Sequence, residues 1–185
     1  MKKQPLIYAI ILGLVCLILP SPSFSAAGDL VWEFPSGGVV ESSPTISGGF
    51  VYVGSNEGKV YCLDALTGIE DWYSPTGHYV SSSPAVSEGY VYVGSRDYKV
   101  YCLNEGTGGE SWKFATKGAV KSSPAVIDGY VYVGSDDYKI YCIVFDDSDQ
   151  EVKVEWEFET GGPVRSSPAV TERYVYVGSD DHKVY

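Results

Sequence analysis

The chain has 185 residues, with 24 acidic and 13 basic side chains and a formal net charge of −11. That balance excludes a nucleic-acid binder, which needs clustered Lys and Arg against phosphates, and it disfavours anionic membrane surfaces. It favours cationic partners or divalent ions instead.

Residues 1–27 read as an export signal. Lys2 and Lys3 precede a mostly apolar run from Leu6 to Leu19, Pro20-Ser-Pro22 breaks it, and small residues at Ser25 and Ala27 suit cleavage before Gly28. The run is shorter than the roughly 20 residues of a bilayer span, so an uncleaved anchor is the second choice. Cys16 follows Val15 where a lipid-attachment site wants Gly, Ala or Ser, which argues against a lipid anchor. Without this leader the net charge becomes −13, because two lysines leave with it and no acid does.

The rest of the chain is periodic. Val51-Tyr-Val-Gly-Ser55 returns at Val91, Val131 and Val175, and Ser42-Ser-Pro44 returns at Ser82, Ser122 and Ser166. Trp32, Trp72, Trp112 and Trp156 keep the same beat. A period of about 40 residues means copies of one supersecondary unit that bury their faces against one another.

Within a unit, Ser82–Val86 predicts a first strand, Glu88-Gly89 a tight turn, Tyr90–Gly94 a second strand, Lys99–Leu103 a third and Glu110–Phe114 a fourth. Leu30–Phe34 predicts an isolated fourth strand ahead of the first unit. No window outside the leader has helical periodicity. The fold class is all-β. In Tyr90-Val-Tyr-Val93 both faces of the strand are apolar, which a sheet with one wet face would not show. Four-stranded antiparallel sheets covered on both sides are the blades of a β-propeller.

Cys62, Cys102 and Cys142 follow the same Tyr in successive units. Equivalent positions in stacked sheets lie about 10 Å apart, beyond the roughly 4.4–6.8 Å Cα separation of a disulfide. They are expected to be buried free thiols.

Cys62-Leu-Asp64-Ala-Leu-Thr67-Gly68-Ile-Glu-Asp-Trp72 and Cys102-Leu-Asn104-Glu-Gly-Thr107-Gly108-Gly-Glu-Ser-Trp112 resemble the tryptophan-docking motif of quinoprotein-like (PQQ-like repeat) propellers, Ala-x-Asp-x-x-Thr-Gly-Lys-x-x-Trp. The departures are Cys for Ala, Asn104 for Asp, and Ile69 and Gly109 for Lys. The third copy loses the motif to a four-residue insertion within Val144–Glu151. The resemblance implies that Trp32, Trp72, Trp112 and Trp156 are structural, each packing on the next blade.

The unit order is an outer strand, three full blades over residues 28–185, and a blade lacking its outer strand. Three arrangements are compatible with it: part of a larger ring of about eight blades, downstream blades completing it; a homodimer completing such a ring; and a four-bladed ring closed by Leu30–Phe34.

Catalytic constellations are missing from the sequence. His78 and His182 read as solvated loop residues, and no nucleophile triad or phosphate loop occurs. Asp146-Asp-Ser-Asp149-Gln-Glu151 suggests a calcium loop but reads better as an acidic insertion. The resemblance implies, for a quinone-cofactor dehydrogenase, an adjacent Cys-Cys pair, calcium ligands and a catalytic Asp, none of which can be placed here; no PQQ, calcium or other cofactor is expected. Glu41, Ser81, Lys121 and Arg165 vary inside a constant frame, which means either drift at exposed positions or a differentiated binding mouth. The mouth reading takes Glu41, His78, Tyr79, Lys121 and Arg165 as its candidates.

The expectation is an exported, periplasmic or extracellular scaffold that binds a protein. The resemblance extends to the periplasmic propeller component of the outer-membrane β-barrel assembly machinery, which implies a cell-envelope partner. A quinoprotein dehydrogenase fragment and a sensor or surface-repeat module are the alternatives.

Overall fold

The computed structural model describes residues 29–146 and 150–185. The expected leader lies outside them, as does the centre of the acidic insertion. Among the described residues there is no helix long and apolar enough to cross a membrane.

Each of the first three Val-Tyr-Val-Gly runs becomes the second strand of a four-stranded antiparallel meander. The first sheet contains β1 (Thr45–Ser47), β2 (Phe50–Ser55), β3 (Lys59–Asp64) and β4 (Glu70–Pro75) in sequential order. The second contains β5 (Ala85–Ser87), β6 (Tyr90–Ser95), β7 (Lys99–Asn104) and β8 (Glu110–Ala115). The third contains β9 (Ala125–Ile127), β10 (Tyr130–Gly134), β11 (Lys139–Asp146) and β12 (Glu151–Glu159). A last unit holds four short strands, β13 (Ala169–Val170), β14 (Val175–Tyr176), β15 (Gly178–Ser179) and β16 (Lys183–Val184). Val177 and Tyr185 exchange backbone bonds of 3.1 and 2.9 Å that carry its last ladder onward.

The first hairpin of each full blade turns through two residues with positive φ, Gly48-Gly49, Glu88-Gly89 and Asp128-Gly129, as the right-handed twist of the flanking strands requires. Every full sheet has the same irregularity between its third and fourth strands, at Cys62/Leu63, Cys102/Leu103 and Cys142/Ile143.

Both faces of the second strand are used. Tyr52, Val60, Cys62 and Trp72 of the first sheet share a core with Val91, Val93, Tyr101 and Leu103 of the second. Tyr92, Val100 and Cys102 then pack in the same way on Val131, Val133, Tyr141 and Ile143 of the third. In the second strand tyrosine faces the following blade and valine the preceding one, while in the third strand valine and cysteine face the following blade and tyrosine the preceding one, so the core is a series of inter-blade layers. Cys62, Cys102 and Cys142 are buried and free.

The first strand starts later than the sequence predicts, at Ala85 and not Ser82. Pro84 has no N–H for a ladder, and Ser82 turns its hydroxyl onto the second strand, donating to the Gly94 carbonyl and accepting from the Gly94 N–H at 2.8 Å each. Ser42, Ser122 and Ser166 make the same pair of bonds. The next serine joins blades: the N–H of Ser43 donates to Ser83 Oγ, that of Ser83 to Ser123 Oγ and that of Ser123 to Ser167 Oγ, at 2.9, 2.8 and 3.0 Å.

The strand expected at Leu30–Phe34 does not form. Apolar alternation makes a strand only beside an edge with which it can pair, and β16 pairs with β15 alone among the described residues. Trp32 and Phe34 instead pack on Tyr61 and Leu63 of the first blade.

Candidate functional site

In a four-stranded meander the turn between second and third strands lies at the same end as the loop entering the first strand. Backbone bonds fasten the two together in every unit: Asn56, Arg96, Asp136 and Asp180 donate their N–H to Val39, Tyr79, Ala119 and Pro163, each at 2.9 Å. This end carries all five candidate mouth residues.

They fall into two groups. In the first, Glu41 Oε2 takes a 3.0 Å bond from Arg96 Nη2, and the guanidinium lies 5.6 Å from the Tyr79 ring centre. His78 stacks against Tyr79 at 4.4 Å. In the second, Asp136 accepts from Lys121 Nζ at 2.5 Å and Arg165 Nε at 2.8 Å. Arg165 also reaches Asp180 with its Nη1, at 2.5 Å. Burial would raise the pKa of Asp136, but the bonds from Lys121 and Arg165 outweigh it and hold its carboxyl below the ordinary range.

Arg96, Asp136 and Asp180 complete these groups and were not among the candidates. Their signal was present in the sequence, because the residue after each Val-Gly-Ser varies as Asn56, Arg96, Asp136 and Asp180. The alternating charges suit recognition of a polar surface. No nucleophile stands beside a base in either group, and each acid is engaged by a cation.

A further set of acids locks the blades. Asp97 accepts from the Tyr101 hydroxyl at 2.5 Å and from the Gly77 N–H at 3.0 Å. Asp181 repeats this with Tyr185 and Gly161, and Asp137 with Tyr141 and the Lys117 N–H.

At the opposite end the docking tryptophans work as wedges. The indole N–H of Trp32 donates to the Ala65 carbonyl and that of Trp72 to Glu105, both at 3.0 Å. Asp64 shapes the receiving turn by accepting from the Leu66 and Thr67 N–H groups and the Thr67 hydroxyl. Asn104 keeps part of that pattern with Gly106 and Thr107. Trp112 has no acceptor among the described residues, and Trp156 packs on Tyr132 at 5.9 Å.

A quinone cofactor with its calcium ion would need vicinal thiols and free carboxylates. Here the thiols sit one to a blade and all three are buried, and the mouth acids are paired with Lys and Arg. Among the described residues no group of three or more His, Cys, Asp and Glu is placed to hold a metal ion. This donor set does not match the cofactor.

Repeated four-stranded blades wedged by tryptophan define the chain as a PQQ-like repeat β-propeller. Residues 23–81 and 74–185 match the family described as outer membrane protein assembly factor BamB, and the chain belongs to that family. Its fold is similar to the crystal structure of BamB from Moraxella catarrhalis, with a TM-score of 0.73 and 20% identity over 84% of this chain and 52% of that one. The chain thus spans about half the length of the Moraxella protein. Two computationally designed proteins are also similar: Ika8, with a TM-score of 0.67 and 19% identity over 76% of this chain and 43% of that one, and Ika4, with 0.66 and 20% over 80% and 89%. No curated protein matches the sequence significantly.

Proposed function

We propose that this protein is an exported, non-catalytic scaffold of the cell envelope, working without a quinone cofactor, whose charged mouth end docks a protein partner in outer-membrane assembly. The observation that carries this reading is the pairing of variable charged residues at one end of an invariant frame, Glu41 with Arg96 and Lys121 and Arg165 with Asp136. Family membership supports the assembly setting. Export through a cleaved leader is part of the proposal, and N-terminal sequencing of the exported protein is expected to start at Gly28.

Site-specific photo-crosslinking in cells tests the mouth. A crosslinker at Tyr79 or Lys121 is expected to capture an outer-membrane assembly protein, while one at Leu66, exposed at the opposite end, captures little of it. Equal capture from both ends, or none at the mouth, overturns the reading. Alcohol-linked dye reduction after addition of PQQ and calcium would overturn its non-catalytic part.

A further inference from the structure

The insertion in the third blade breaks the docking pattern inside the array. At the boundary between first and second blades, Trp72 gives its indole N–H to Glu105, and the Glu105 carboxylate accepts from Ser47 and Tyr52 at 2.8 and 3.3 Å. At the next boundary the residue in the place of Glu105 is Phe145, which is drawn into the lengthened hairpin opposite Val152. Among the described residues no docking turn meets Trp112.

A cavity of about 310 Å³ opens there, lined by Trp112, Tyr90, Tyr92, Phe145, Glu88 and Asp128 among others. The rings are in contact: Tyr92 lies 5.8 Å from Trp112 and 6.4 Å from Tyr90 between centres. Glu88 and Asp128 hold left-handed backbone conformations, with φ of 52° and 50°, where the first blade has Gly48. That conformation follows from the hairpin twist, and it leaves both side chains at the rim of the cavity. Neither carboxylate has a cation beside it among the described residues.

The geometry points to a docking groove for a basic peptide segment of a protein partner, an Arg or Lys side chain entering between the rings of Trp112, Tyr90 and Tyr92 and the carboxylates of Glu88 and Asp128. Aromatic faces attract a cation through their quadrupole, most strongly where water is partly excluded. A peptide fits better than a free cation because its backbone carbonyl can accept from the Trp112 indole, as Glu105 does for Trp72. The chain's net charge of −11 attracts such a segment. The inference rests on the scaffold reading, but it concerns the end opposite the mouth and fails or stands separately.

The test is an NMR titration of the full chain, ¹⁵N-labelled, with acetyl-Gly-Arg-Gly-amide and its citrulline counterpart, following the indole N–H of Trp112 assigned through Trp112→Phe. The arginine peptide is expected to move that resonance saturably and more than those of Trp32, Trp72 and Trp156, and the neutral peptide to leave it in place. Replacing Glu88 and Asp128 together by Gln and Asn should weaken binding at least about fivefold without lowering the melting temperature. An equal response to citrulline, an unmoved Trp112 resonance, or unchanged affinity in the double variant would each overturn the proposal. Mouth crosslinking that persists alongside any of these results would leave the scaffold reading intact.

Discussion

Ser83 donates its backbone N–H to the hydroxyl of Ser123, the equivalent residue one blade on, at 2.8 Å. Its neighbour Ser122 points inward and bridges both backbone groups of Gly134. Adjacent serines of one triplet therefore hold different boundaries, one between strands and one between blades. Ser122→Ala leaves two buried backbone groups unpaired and is expected to cost roughly 1–3 kcal/mol in urea unfolding. Ser123→Ala removes one partly exposed acceptor and should cost about 1 kcal/mol or less.

Gly94, like Gly54 and Gly134, is a point where neighbouring blades approach closely. A Cβ placed there would lie 2.4 Å from Val120 Cγ1 and 2.8 Å from the Val120 carbonyl. Gly94→Ala is expected to destabilise by roughly 1–3 kcal/mol through overpacking. Calorimetry of that variant beside Gly106→Ala, where a Cβ meets only the Asn104 side chain at 3.7 Å, separates crowding from a general glycine effect.

Trp72 and Trp112 occupy the same position in successive blades, yet among the described residues only Trp72 of the two has an indole acceptor. Trp72→Phe should therefore cost more than Trp112→Phe, by about 1 kcal/mol for the lost hydrogen bond. Equal unfolding midpoints for the two variants would contradict the docking account.

Acid should loosen the blade locks. Burial pushes the pKa of Asp97 up, but bonds from Tyr101, Ser95 and Gly77 prevail and hold it below the ordinary carboxylate value. The Tyr101 counterpart in the last unit, Tyr185, lowers Asp181 to about 2. A carboxylate whose pKa is lower folded than unfolded adds stability above the unfolded value and loses it as pH falls through the folded one. The melting temperature should accordingly be level above about pH 5 and drop between 3.8 and 2. Asp97→Asn should shallow that drop.

The three blade cysteines should be inert while the protein is folded. Burial raises their thiols to about 11, 12 and 11 for Cys62, Cys102 and Cys142, so almost no thiolate exists at neutral pH. Iodoacetamide is expected to leave all three unmodified in native protein and to label all three in denaturant, read by peptide mass spectrometry.

The second and third strands and the turns joining them are legible in the sequence because Val-Tyr-Val-Gly-Ser fixes both faces and the turn glycines punctuate them. The late start at Ala85 was hidden, since alternation cannot reveal that Ser82 uses its hydroxyl against Gly94. Leu30–Phe34 has strand composition but lacks a partner, and pairing is a long-range property. At the mouth, Glu41, Lys121 and Arg165 stood out by varying, while Arg96 and Asp136, equally variable, gained meaning only through contact. The open groove at Trp112 was foreshadowed by loss of the docking motif, but its rim of Glu88 and Asp128 belongs to turns whose proximity only the fold supplies.

Glycines 54, 94 and 134 each face a valine ahead of the next blade, Val80, Val120 and Val164, with no room for a methyl group between them, and at the first of these boundaries the Trp72 indole props the outer edge. Units narrow on one side and broad on the other must fan like the stones of an arch. The angle of the fan follows from two side-chain sizes, hydrogen at the inner joint and indole at the outer. Enlarging the first or shrinking the second would flatten the curve, so the pitch of the array is a property that substitutions at two positions per unit can retune.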